Sequence, residues 1–88
     1  MMSEIIKNRV FNHNDVNVLL CTLGFKRNGN NNYSLYINKK NGIVAYYVRK
    51  KASPKNMGAF VFIHKDFKEY AYNIDELENT YLNLINKI

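Results

Sequence analysis

Apolar residues recur at helical spacing near both ends of this 88-residue chain and form dense, strand-length runs between them. Ile74, Leu77, Tyr81, Leu84, Ile85 and Ile88 fall on one face of a closing helix. Asn73 can cap it, Glu76 completes a capping-box spacing, and Tyr72 with Leu77 stands at the spacing of a hydrophobic staple. Asp75, Glu76 and Glu78 in the first turn and Lys87 in the last match the helix dipole. Upstream, Val16, Leu19, Leu20 and Leu23 mark a shorter helix, with Asn14 as its expected cap and Gly24 as a left-handed stop before Phe25. Val18 and Cys21 fall off that stripe, and Ser3 to Phe11 reads as an irregular or helical lead-in.

The middle of the chain alternates with a period of two. Tyr33 to Lys39 and Ile43 to Lys50 flank Asn41-Gly42, a pair that favours a two-residue type I′ turn because both central positions need positive φ. That turn sets Lys40 opposite Ile43 and Ile37 opposite Tyr46. Leu35, Ile37, Val44, Tyr46 and Val48 then share one face, apolar enough to meet the helices. Ser34, Tyr36, Asn38, Lys40, Ala45, Tyr47 and Arg49 share the other, with Tyr36 paired to Tyr47. After a loop over Lys50 to Gly58, a third strand runs from Ala59 to His64, alternating Phe60 and Phe62 with Val61 and Ile63. Phe67 to Tyr72 reads either as a fourth strand or as the approach to the last helix.

These elements predict an α+β fold in one domain spanning residues 1–88. Three or four antiparallel strands are flanked by an N-terminal and a C-terminal helix in the order α-β-β-β-α, with the helices on one face and the other face open. Hydrophobic residues make up 47% and charged residues 23%, the balance of a folded globular chain rather than a disordered one. No apolar run approaches the roughly 18 residues of a membrane span, and Met1 to Phe11 has no continuous apolar stretch like a secretion signal. Cys21 is the only cysteine. The expectation is a cytoplasmic protein without disulfides or membrane attachment.

Charge changes this picture most. The formal net charge is +6, and between Val16 and Lys65 nine lysines and arginines stand without one aspartate or glutamate. A one-signed surface on a folded element attracts nucleic acid, acidic protein or anionic lipid. Two sets of residues carry the expected contact. The first is the open face, where Tyr36 and Tyr47 stand among Lys40 and Arg49; rings stack bases and cations neutralise phosphates, as in single-strand readers. Its alternative is an ordinary cross-strand pair, with Phe60 and Phe62 either widening the platform or entering the core. The second is the basic loop Arg49, Lys50, Lys51 and Lys55, which suits phosphate or an acidic protein patch. His13, His64 and Cys21 match no metal-ligand spacing, the four glycines form no phosphate loop, and no residue orients His64 for acid–base work. The expectation is a protein with no cofactor and no enzymatic activity.

The order of elements resembles the double-stranded RNA-binding domain, but the lysine cluster that opens that family's last helix is replaced here by Asn73, Ile74, Asp75 and Glu76. Leu23, Gly24 and Phe25 followed by Gly29 resemble the helix-to-strand passage of HicA-type ribonuclease toxins, whose catalytic histidine is replaced by Asn30, Asn31 and Asn32. The join of Leu23, Gly24 and Phe25 to a few strands and a closing Ile74, Asp75, Glu76, Leu77 helix with Tyr81 and Leu82 resembles small orphan phage proteins of AT-rich bacteria. That resemblance implies an inhibitor of a host defence system, such as an anti-CRISPR protein of the type VI-B style. Its partner would be an RNA-guided nuclease or its guide-RNA complex, met through Tyr36, Lys40, Tyr47, Arg49, Lys50, Lys51 and Lys55. The alternatives are a free-standing RNA or single-stranded DNA binder and a HicA-like toxin.

Overall fold

The structure, a computed structural model, describes residues 11–29 and 34–88, without the His13 side chain. The expected lead-in at Ser3 to Val10, the start of the first strand at Tyr33 and the Asn30 to Asn32 segment lie outside the described residues. Helix α1 covers His13–Thr22 and helix α2 Leu77–Lys87. Between them, β1 (Lys26–Asn28), β2 (Leu35–Asn38), β3 (Ile43–Val48), β4 (Ala59–His64) and β5 (Phe67–Ala71) form one antiparallel sheet in sequence order. The described residues are thus α+β with five strands rather than three or four. Phe67–Ala71 takes the strand option, and β1 is the addition. Lys26-Arg27-Asn28 has no apolar alternation to announce it; it is a short polar edge strand, which also discourages edge-to-edge pairing.

Both described helices start on an asparagine cap. Asn12, rather than Asn14, caps α1 by accepting the Asp15 N–H at 3.1 Å. Gly24 (φ +100°) reverses the chain after α1, and the Phe25 N–H reaches back to the Leu20 carbonyl at 2.9 Å. Before α2, the Asn73 side chain accepts the Glu76 N–H at 3.1 Å while Glu76 accepts the Tyr72 N–H at 2.8 Å. This is the reciprocal capping expected, with a single 3₁₀ turn, Ile74–Glu76, leading into the helix. Leu77, Tyr81 and Leu84 are buried along the expected stripe, whereas Ile88 is exposed. On α1, Val16 and Leu20 are buried and Val18 is 64% exposed.

The β2–β3 turn departs from the two-residue expectation. Asn38 pairs with Ile43, so Lys39–Gly42 is a four-residue turn and the register moves by two residues: Ile37 faces Val44, and Tyr36 faces Ala45 rather than Tyr47. Asparagine side chains decide this. Asn38 Oδ1 accepts the Lys40 N–H at 3.0 Å, Asn41 Oδ1 accepts the Ile43 N–H at 3.1 Å, and the Gly42 N–H bonds the Asn38 carbonyl at 2.8 Å. A shift of two keeps every side chain with its expected companions, because the side-chain period is also two.

Which companions face the helices is the reverse of the expectation. Tyr36 is 2% exposed, and Ser34, Asn38, Ile43, Ala45, Phe60 and Phe62 are buried with it. They join Val16, Leu20, Phe25, Leu77, Tyr81 and Leu84 in one core. The aromatics interlock edge to face: Phe25 with Phe62 at 5.9 Å, Phe25 with Tyr81 at 5.3 Å and Tyr36 with Phe60 at 6.2 Å. Such pairs add about 0.5–1.5 kcal/mol each beyond area burial. The polar groups of Tyr36 and Asn38 on this side are satisfied internally. Asn38 donates to the Leu23 carbonyl at 3.1 Å and the Tyr81 hydroxyl at 3.2 Å, Asn41 donates to the same hydroxyl at 2.8 Å, and Tyr36 donates to Asn17 at 3.4 Å. Hydrogen-bonded, these groups escape the penalty that would otherwise keep them out of a core.

Candidate docking face

Away from the helices, the sheet presents Leu35, Ile37, Val44, Tyr46, Val48, Ile63 and Tyr70, all half-buried, around Val61. One row crosses all five strands through directly paired positions: Lys26 to Ile37, Ile37 to Val44, Val44 to Ile63, Ile63 to Lys68. Paired side chains lie on the same side of a sheet. Three aliphatic residues therefore stand between two exposed lysines, about 19 Å apart at four strand spacings of about 4.8 Å. In the next row Tyr46, Val61 and Tyr70 pair in turn, and Val61, only 2% exposed, is flanked by the two rings. At the β1 edge, Lys26, Ile37 and Lys39 with Arg27 and Asn28 line a shallow depression of about 290 Å³.

The charges are segregated. Asp15 lies in the first turn of α1, Asp75, Glu76 and Glu78 lie at the start of α2, Asp66 is exposed in the β4–β5 turn, and Glu69 forms an ion pair with Lys87. Glu69 pairs with Phe62, which places it on the helix side of β5. The side that the described helices leave uncovered thus has lysines at both margins while most of the acids cluster at helix starts. Strong apolar content on both faces is the mark of strands built for cover on both sides, and IVAYYV and AFVFIH in β3 and β4 have it. The described helices cover one.

The expected contact residues divide three ways. Tyr36 lies in the core, and Tyr47 is half-buried with its ring 5.8 Å from Phe11 and 5.9 Å from Phe60. The aromatic platform expected from Tyr36 and Tyr47 is therefore core packing. Burial pushes the Tyr36 phenol above its ordinary pKa, with Arg27 pulling the other way. Lys40 is exposed in the β2–β3 turn, at the opposite end of β3 from the exposed Arg49, Lys50, Lys51 and Lys55 of the β3–β4 loop. Six β3 residues at about 3.3 Å each separate them by about 20 Å, so they do not form one cluster.

The loop itself is ordered by its own hydrogen bonds. Lys50–Ala52 forms a 3₁₀ turn, and Ser53 Oγ accepts the Met57 N–H at 3.0 Å while donating to the Met57 carbonyl. A Cβ on Gly58 would collide with the Tyr47 hydroxyl, so the absence of a side chain lets the loop close against the core. His64, the residue a HicA-like reading would make catalytic, ends β4 next to Gly42, and its buried Nδ1 has no hydrogen-bond partner among the described residues. Among the described residues, no helix is long and apolar enough to cross a membrane.

No family model, curated protein or solved structure matches this chain. Its surface therefore carries the functional reading.

Proposed function

We propose that this chain is a non-enzymatic inhibitor that docks the open face of its sheet on an acidic surface of a larger protein. The row from Lys26 through Ile37, Val44 and Ile63 to Lys68 carries the reading. Its aliphatic centre supplies area to bury, at about 25 cal/mol per Å² of apolar surface, and its lysine margins select and orient a partner of opposite charge. A second copy of the chain is the poorer occupant, because two such faces would set lysine against lysine. The resemblance to small phage inhibitors gives the partner class: a host defence nuclease, foremost an RNA-guided one, which makes the protein an anti-CRISPR candidate acting in the host cytoplasm.

Affinity purification from a bacterial host, with the wild-type chain and with Val44→Asp, tests this. Val44 is central in the row and outside the core, so the variant is expected to fold. The expected result is recovery of a defence nuclease by the wild type and its loss with the variant, together with inhibition of that nuclease in vitro. Recovery of no defence protein, or equal recovery by both chains, would sink the proposal.

A further inference from the structure

At the end of the sheet remote from the β2–β3 turn, two tyrosines meet the basic loop. Tyr70 and Tyr72 stack with ring centroids 6.4 Å apart and planes 18° from parallel, and Lys55 Nζ lies 4.8 Å from the Tyr72 ring centroid. The Ser53 hydrogen bonds and the 3₁₀ turn fix the backbone that carries Lys50, Lys51 and Lys55, all exposed. From Arg49 to Lys65 the chain has no acid. Glu76, a carboxylate near the Tyr72 ring, accepts the Tyr72 N–H at 2.8 Å.

We infer that this corner is a binding site for single-stranded nucleic acid, in which a base stacks on Tyr72 and the adjoining phosphates are held by Lys50, Lys51 and Lys55. Magnitudes favour the exchange. A base stacked on an aromatic ring is held more tightly than an ammonium in an exposed cation–π contact. The base takes the place of the Lys55 ammonium over the ring, and that ammonium moves to a phosphate, where its charge does more. Tyr70 lies nearly parallel beside Tyr72 and extends the aromatic surface. The site reads no sequence, since it offers a ring and point charges rather than a set of base-edge donors. It does not depend on the docking proposal, whose central row lies on other residues, although Tyr70 borders both surfaces.

Fluorescence anisotropy of a labelled short oligouridine against the full chain tests this, with inorganic polyphosphate as the competing polyanion. The expected result is binding at low salt that weakens with a log–log slope of about −2, from three phosphate contacts at about −0.7 each. Tyr72→Leu, which keeps an apolar side chain before the helix cap, is expected to weaken binding about 10-fold. Replacing Lys50, Lys51 and Lys55 by glutamine is expected to abolish the salt dependence, and Val44→Asp to leave it unchanged. In the wild type, the ring-proton NMR signals of Tyr72 are expected to shift on adding oligouridine and not on adding polyphosphate. No binding at low salt, or binding insensitive to Tyr72→Leu with no ring shift, would overturn the inference; the second result would reduce the corner to a polyanion patch.

Discussion

Phe62→Ala is expected to remove about 3–5 kcal/mol of folding stability, and Ile63→Ala, one residue along the same strand, only about 1 kcal/mol. Phe62 is fully buried, packs edge-on to Phe25 at 5.9 Å and lies beside Tyr81 at 6.2 Å, so truncation leaves a cavity against both rings. Ile63 is half-buried on the open side, between Val44 and Lys68, where water can fill the vacated space. Urea denaturation of both variants measures the difference. The reverse order, with Ile63 the costlier truncation, would mean that the helices cover the other face. For a domain whose total stability is of order 5–15 kcal/mol, the Phe62 loss alone brings unfolding within reach of physiological temperature.

Reversing both ends of the aliphatic row, Lys26→Glu with Lys68→Glu, is expected to cut affinity for the partner more than 10-fold and to do so mainly through the association rate. Both side chains are exposed, so folding stability should change by less than about 0.5 kcal/mol. The double change lowers the formal net charge by four from +6. Lys40→Glu, at the tip of the β2–β3 turn, alters charge without touching the row and serves as the comparison. Surface plasmon resonance at two ionic strengths distinguishes local from general electrostatics. A loss with Lys40→Glu as large per charge as with the pair would indicate diffuse attraction, and no loss with the pair would remove the lysine margins from the contact.

Much of the scaffold is readable from residue order alone, because local chemistry specifies it. Asn73 and Glu76 cap as their spacing requires, Gly24 turns the chain where a left-handed residue was needed, and the apolar stripe of α2 points inward. The candidate site was harder for a definite reason. Hydropathy separates the two faces of a strand only when one face is polar, and here both are largely apolar. Counting Tyr36, Asn38 and Tyr47 as polar assigned them to water, yet a phenol and an amide enter a core when partners await them, as Tyr81, Asn17 and the Leu23 carbonyl do. Those partners are distant in the chain and leave no local trace. The usable signal was the dense apolar content of β3 and β4, which asks for cover on both sides. The β2–β3 register slipped for a related reason, since side-chain hydrogen bonds from Asn38 and Asn41 outweighed the preference of Asn-Gly for a tighter turn. The basic loop, by contrast, stands where expected, exposed between β3 and β4.

Hydroxyl-radical footprinting of the tyrosines, in the free protein and in complex with the recovered nuclease, tests the docking face most directly. Tyr46 and Tyr70 are expected to be modified in the free protein and protected in the complex, with Tyr36 unmodified in both. Modification of Tyr36 in the free protein, or labelling of Tyr46 that the partner leaves unchanged, would contradict it.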